Sequence, residues 1–300
     1  MRITNIGIIG YGFIGKSLVE NLSKKKNISI KIIDRNEKPI NFNHFWQKGD
    51  YRNSDLIRDF VKDLDVLYHL ASSTVPCSII DSPKDELDEN IISMLKLLDI
   101  IIKNNPDLYF IFSSSASVYG NQEVFPISEN NTTNPISFHG LQKLTIEHYL
   151  RIFNLMHNLK YAALRISNPY GQGQKKNTLQ GLISIIKNSI INKNSINIYG
   201  LHECSRDFIH ITDLANAITS LININPINNV INISSNQEVK IYDLINLVEN
   251  ITGETLNANY LKLRSSDIKR SVLDNSFLRS ITNWEPKIKL DTGINNFINN

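Results

Sequence analysis

Three hundred residues, 41% of them hydrophobic and 20% charged, are enough to bury the core of one large domain, or of one domain with a smaller lobe. The 32 basic side chains are interspersed with 29 acidic ones for a net charge of +3, without the dense basic tract that a nucleic-acid or membrane-surface partner requires. Two widely separated cysteines, Cys77 and Cys204, exclude a disulfide framework and a cysteine metal site, which suits a reducing, cytoplasmic setting.

A strand pattern begins at Ile3, with no signal-peptide arrangement. Short apolar runs then alternate with helical periodicities. In order these are the strand NIGIIG, the helix IGKSLVENLSKK ending on solvated Lys24, Lys25 and Lys26, the strand SIKIID, the helix DLIRDFVKDL, the strand DVLYHLA, the helix ENIISMLKLLDIIIKN and the strand LYFIFSS. That alternation predicts an α/β fold, a Rossmann-type doubly wound parallel sheet with helices on both faces. The most apolar stretch, IISMLKLLDIII, is broken by Lys96 and Asp99, which marks a helix with one buried face and not a membrane span. A helix after His139 and the strand KYAALRIS continue the pattern until NPYGQGQKKN interrupts it. The expected organisation is a sheet domain over residues 1–167, rejoined by about 206–235 where RDFIHITDLANAITSLIN again reads as strand then helix. Residues 168–205 and 236–300 are expected to form a smaller C-terminal α/β lobe.

Directly after the first strand stands GYGFIG, with Gly10, Gly12 and Gly15 opening a helix. Glycines so placed allow a tight turn, close approach of a pyrophosphate to the backbone, and helix-on-strand packing, while the helix N-terminus faces the phosphates. Asp34 closes the second strand nineteen positions beyond Gly15, where a carboxylate accepts the ribose hydroxyls of an adenosine and repels a 2′-phosphate. NAD is therefore the expected cofactor, although Arg35 beside that carboxylate is a group able to accommodate a phosphate. Asp50 and Tyr51 follow the third strand, either beside the adenine or as a plain strand-to-helix turn. Gly7 is expected to be only a small residue within its strand. Farther on, SFHGLQK places His139 four positions before Lys143, so the two share a helix face; alone, such a pair is the ordinary first turn of a surface helix.

Together the motifs resemble the extended short-chain dehydrogenase/reductase family, in its nucleotide-sugar epimerase/dehydratase branch typified by UDP-glucose 4-epimerase. The resemblance rests on GFIG (Gly12, Phe13, Ile14, Gly15), GD at Gly49 and Asp50, YHLA from Tyr68 to Ala71, and FSSSASVYG from Phe112 to Gly120. It continues through LRISNPYG, SRDFIHITD and WEPKIKL, and so runs nearly end to end. It implies NAD held by the glycine turn with Leu70, Ala71 and Ser113 beside it, and a nucleotide-diphosphate sugar, foremost a UDP-sugar, bound between sheet domain and lobe. By the same resemblance Ser115 meets the sugar hydroxyl, Lys143 holds the nicotinamide ribose, and Asn168, Arg206 and Arg264 contact the diphosphate or nucleoside. It further implies a homodimer through helices near Glu86 to Asn104 and His139 to Met156, with Leu95, Leu98, Ile101 and Ile102 as candidates for the apolar face.

In that family a tyrosine four residues before the lysine takes the hydroxyl proton. Here His139 occupies its place, and none of the eleven tyrosines has a lysine four residues later. Neutral imidazole is a competent base, yet its tip lies about 2 Å nearer the backbone than a phenol oxygen. Three readings stay open: a working His139, another base, or an inactive site. Ala116 and Ser117 stand where the family's 4,6-dehydratases carry an Asp-Glu pair, and the glutamate of its decarboxylases is absent from the same turn. The expectation that remains is a 4-epimerase, with a 4-ketosugar reductase and a catalytically silent NAD-dependent binding protein as alternatives. No metal site is expected. His44, His69, His148, His157, His202 and His210 read as core or surface residues, Ser113 and Ser114 as neighbours of the nicotinamide, and Tyr119 as packing at the end of its loop.

Overall fold

The computed structural model describes residues 3–72, 84, 87–174, 181–264 and 267–299. Cys77 and Glu86 lie outside the described residues. Six strands succeed one another through the first half of the chain: β1 (Thr4–Ile9), β2 (Ile28–Asp34), β3 (Phe45–Lys48), β4 (Val66–His69), β5 (Tyr109–Ser115) and β6 (Lys160–Ile166). Helices α1 (Phe13–Leu22), α2 (Ser54–Val61), α3 (Ser93–Asn104) and α4 (Phe138–His157) alternate with them, α3 being entered through a π-helical turn at Leu87–Ile92. After β7 (Asn168–Tyr170), α5 (Leu182–Asn192), β8 (Ile196–Tyr199), β9 (Ser205–Arg206), β10 (Phe208–His210) and α6 (Ile211–Ser220), a seventh strand, β11 (Asn229–Ile233), docks on β6.

The seven-stranded sheet runs β11-β6-β5-β4-β1-β2-β3 and every pairing is parallel. Strands covered on both faces need apolar side chains in both directions, and β4 obliges with four buried residues in a row, Val66 to His69. Ile6 and Ile8 point to one core with Leu18, Leu22, Leu214 and Ile218, whereas Ile9 and Ile33 point to the other with Ile57, Phe60, Leu97 and Leu150. Gly7 is more than a small residue in passing, because a Cβ there would stand 2.3 Å from Leu64 Cδ1. The winding direction reverses between β1 and β4, and in such sheets the crevice beyond the carboxyl ends of the strands at the reversal is where ligands bind.

The strand half of RDFIHITDLANAITSLIN stays outside this sheet, since β10 pairs with β7, while α6 packs on α1. Asp213 on α6 accepts the main-chain N–H groups of Lys287 and Ile288 and offers its own carbonyl to the Trp284 indole at 3.0 Å, so WEPKIKL is tied to the sheet's helical layer. Strands β12 (Val239–Lys240), β13 (Ala258–Leu261) and β14 (Arg270–Ser271) pair with the short strands β8 and β9. Helices α7 (Ile241–Thr252), α8 (Ser276–Ile281) and α9 (Leu290–Asn299) follow in the same half. A separate apolar core joins Ile183, Ile186, Ile198, Leu244, Val248 and Phe297. Among the described residues no helix is long and apolar enough to cross a membrane.

One expected apolar face is corrected. Leu98 and Ile101 are fully buried in the second core and present nothing outward, because that side of α3 packs against α2. Leu95 and Ile102 are half-buried, and exposed apolar groups lie at Leu87 and Ile92 in the turn before α3 and, on α4, at Phe138, Leu141, Ile152, Leu155 and Met156.

Candidate functional site

The glycine turn sits at the β1 side of the reversal, and its three glycines are demanded by different things. Gly10 has φ +98, and its missing Cβ would stand 2.8 Å from the Ala71 nitrogen. At Gly15 a Cβ would collide with the Gly10 carbonyl oxygen at 2.2 Å. The fold needs both. Gly12 is different: a Cβ there meets nothing within 4 Å. It is also the N-cap of α1, with no side chain capping the helix, so the first N–H groups of α1 and an unobstructed approach to them coincide. Free helix-terminal donors and open backbone are what a pyrophosphate requires.

Beside this turn lies a cleft of about 260 Å³ lined by Gly10, Gly12, Asp34, Arg35, Asp50, Tyr51, Leu70 and Ala71 among others. Those eight expected cofactor residues are thus brought together, whereas Phe13 and Ile14 pack against the first core and Ser113 is buried. Asp34 is already engaged: Oδ2 accepts the Tyr11 N–H at 2.6 Å, and Oδ1 accepts the Asn36 main-chain and side-chain amides at 2.8 and 2.7 Å. A carboxylate has roughly four acceptor positions, so one remains, on Oδ2, with Asn36 in place. The Asp50 carboxyl lies below the usual carboxylate range, chiefly through its hydrogen bond from Arg52. Arg52 also pairs with Glu89 at 3.0 Å. Burial pushes the Tyr51 phenol up to about 12, and its hydroxyl donates to the Glu89 carbonyl at 3.0 Å.

The expected catalytic groups gather where β5 ends and α4 begins. Ser137 caps α4, its Oγ accepting the Gly140 N–H at 3.1 Å. Gly140 presses on the next turn, since a Cβ there would lie 2.5 Å from the Ser117 carbonyl oxygen. His139 and Lys143 are each 7% exposed, so both lie on the inward face of a helix whose first turn leaves Phe138 and Leu141 exposed. The Lys143 ammonium donates to the Ser113 carbonyl at 2.7 Å and lies 4.6 Å over the Phe112 ring; burial lowers its pKa to about 8. Ser115 caps the short 3-10 turn Ala116–Tyr119, its Oγ accepting from Ser117 N and Oγ at 3.2 and 3.0 Å. The helix start carrying His139 therefore abuts the turn carrying Ser115. A small cavity shared by Lys143, Tyr51, Ala71 and Ser72 links this cluster to the cofactor cleft, and His69 forms another of its walls.

The lobe-side residues form a second group. The Asn168 side-chain amide donates to the Asp207 carbonyl at 2.9 Å, and Arg206 Nη1 to the Ser205 carbonyl at 2.8 Å. Arg264 lies 4.2 Å over the Tyr199 ring and grips Asp267 through Nε and Nη2 at 2.9 and 2.7 Å. Asp267 is partly buried, which acts upward, but Arg264 and the nearby charge of Arg206 hold it below the usual range. Asn36, Arg52 and Glu89 carry no motif signal, and His69, although within YHLA, reads in sequence only as a core or surface residue. They are ordinary polar residues whose place at the site depends on strands and turns far apart in sequence.

A model of the NAD dependent epimerase/dehydratase family matches residues 6–234. The chain belongs to this family. NAD is the family's cofactor, and the open backbone at Gly12, the uncapped α1 and the acceptor left on Asp34 fit it. The putative UDP-glucose 4-epimerase of Methanocaldococcus jannaschii is 30% identical over 295 residues, covering 97% of this chain and 95% of that protein. The Escherichia coli dTDP-4-dehydro-6-deoxyglucose reductase is 28% identical over 300 residues, 96% of this chain and 94% of its own. Among solved structures, the UDP-N-acetylglucosamine 4-epimerase of Methanobrevibacter ruminantium, in complex with UDP-N-acetylmuramic acid, superposes with a TM-score of 0.88 at 31% identity, covering 100% of this chain and 98% of that one. The Thermotoga maritima UDP-glucose 4-epimerase with UDP-glucose gives 0.90 at 28%, covering 99% and 98%.

Two outcomes follow from the geometry. Gly15→Ala is expected to cost at least about 2 kcal/mol of stability by overpacking, read as a lower urea midpoint, whereas Gly12→Val should lower the midpoint less, through a poorer helix cap, and lose NAD binding in a calorimetric titration. Equal effects of the two substitutions on both readouts would contradict this division of labour. His69 is buried, and among the described residues neither ring nitrogen has a hydrogen-bonding side-chain partner; burial, helped by the Lys143 charge, lowers its pKa to about 3. The unfolded chain protonates near the ordinary value of about 6.5 and the folded one does not, so stability is lost as pH falls between the two, by about 2–3 kcal/mol at pH 4.5. In His69→Leu the acid-side decline in urea midpoint should be shallower by that amount; an unchanged slope would show that His69 takes up its proton in the folded state.

Proposed function

We propose that the protein is an NAD-dependent nucleotide-sugar 4-epimerase acting on a UDP-sugar in the cytoplasm. The observation that carries this reading is the packing of the start of α4, which carries His139 and Lys143, against the end of β5 and the turn after Ser115, with Lys143 lining a cavity beside the NAD-compatible cleft and no carboxylic acid in the Ala116–Tyr119 turn. Dehydration or decarboxylation needs such an acid or base beside the serine. NAD, when bound, supplies a two-electron acceptor at the sugar carbon. Ser115 Oγ hydrogen-bonds the C4 hydroxyl, and the His139 imidazole takes its proton and later returns it. Lys143 holds the nicotinamide ribose, and Asn168, Arg206 and Arg264 hold the diphosphate and nucleoside, arginine being suited to bidentate phosphate recognition. In this reading residues 1–167 with 206–235 bind the cofactor, and 168–205 with 236–300 bind the sugar nucleotide.

A screen of UDP-, dTDP- and GDP-sugars tests it. The expected result is an epimeric product formed without added cofactor, with turnover reduced at least about 100-fold in His139→Phe while NAD stays bound. His139→Phe turning over at the parental rate would remove the histidine from the reaction. Stoichiometric consumption of NADH would instead favour a 4-ketosugar reductase, the reading supported by the similarity to the E. coli reductase. Binding without product from any sugar would point to a silent homologue.

We also take the functional unit to be a homodimer, with α4 carrying the apolar contact through Leu141, Ile152, Leu155 and Met156, all exposed in the single chain. Sedimentation at micromolar concentration should give twice the mass of 34.2 kDa; a monomer only would refute the assembly.

A further inference from the structure

Behind the candidate site lies a buried polar network with no part in the chemistry described above. Glu147 stands on α4 one turn beyond Lys143, and Arg165 stands on β6 in register with Ser114 of β5. Both charged residues are 5% exposed. Arg165 Nη2 donates to Glu147 Oε2 at 2.7 Å and Nε to Oε1 at 3.1 Å, and the Ser114 hydroxyl donates to the same Oε1. On its far side the guanidinium lies 4.7 Å over the Tyr119 ring. The Tyr119 hydroxyl donates to Asn232 Oδ1 on β11 at 2.7 Å.

Stability alone does not explain this arrangement. Two charges withdrawn from water are costly, and an apolar pair of the same volume often stabilises as well or better. What a bidentate pair adds is direction, because the planar fork meets the carboxylate in one geometry. Here it fixes the rotation of α4 over the ends of β5 and β6. One turn earlier on that helix Lys143 reaches the Ser113 carbonyl, and at its start Gly140 meets the Ser117 carbonyl.

We propose that Glu147, clamped by Arg165 and Ser114, is the positioning residue of the site: it sets α4 on β5 so that Lys143 and His139 face the strand end carrying Ser115, and it supplies the countercharge for the buried ammonium. The consequence for turnover rests on the epimerase reading; the consequence for Lys143 itself does not. Burial drives the lysine pKa down and the Glu147 charge drives it up. Among the described residues, His69 from β4 and Tyr51 from the turn after β3 line the same cavity as Lys143, held to about 3 and about 12, and His139 shares its helix face.

The test is the titration of Lys143 by NMR in protein carrying lysine labelled with carbon-13 at Cε, the resonance assigned through Lys143→Arg. The parent midpoint should lie near about 8. In Glu147→Gln it should fall by at least about one unit, and it should do so again in a His139→Phe background, which removes the imidazole that shares the ammonium's helix face. If the unpaired Arg165 prevents Glu147→Gln from folding, the double variant Glu147→Leu/Arg165→Met removes both charges and carries the same test. That variant should fold and show the lowered midpoint, with kcat down at least about tenfold and KM little changed. A midpoint unmoved in either variant, or a double variant with parental kcat across the pH range, would overturn the proposal and leave the pair a packing element. Should the parent convert no nucleotide sugar, the epimerase reading fails while the titration still decides this one.

Discussion

A lysine ammonium withdrawn from water must be met by fixed acceptors, and the site of this protein is organised around one such meeting, between Lys143 and the Ser113 carbonyl. For that contact to exist, α4 has to begin where it does, capped by Ser137, and to lie close enough to the 116–119 turn that residue 140 has no room for a side chain. Strand β5 has to sit inside the sheet, between β4 and β6, so that its carboxyl end opens beside the winding reversal. Across the small cavity, burial and then the lysine charge disfavour a second cation, and His69 is accordingly neutral there. Serine turn and histidine are thus positioned by one helix laid on one strand end, while the cofactor cleft beside them is built from the glycine turn after β1 and the ends of β2 and β3.

The parts of this arrangement that are legible in the sequence are those whose causes are local. Gly10 and Gly15 are obliged to be glycine by atoms within six residues or by the adjacent strand, and a turn motif records that directly. The spacing of four between His139 and Lys143 is by itself enough to put them on one helix face. Strand and helix order through the first half can be read because burial on both faces writes continuous apolar runs.

What escapes such reading is set by distant partners. Helix α3 is apolar on more than one side, and its packing in the second core, beside α2, buries Leu98 and Ile101. The segment Phe208–His210 has the composition of a central strand, yet it pairs with Asn168–Tyr170 because α6 has already taken the position over α1. Glu147 and Arg165 become partners only through the β5–β6 register that sets Ser114 beside Arg165. Asp34 can be placed from its motif, but not the Tyr11 and Asn36 donors that leave it one acceptor position.

In the proposed reaction the imidazole of His139, at the start of α4, is the base. On that proposal a base held on α4 has to meet a sugar hydroxyl while the buried Arg165–Glu147 pair limits the helix's freedom to move toward it. In the proposed 4-epimerisation, chemistry begins and ends at one sugar carbon, and the hydrogen on that carbon is never exchanged with water. Tracing a deuterium placed at C4 of whichever nucleotide sugar is converted tests this most directly. In ordinary water the account predicts an inverted product with the deuterium still on C4; inversion with loss of the label to solvent would contradict it.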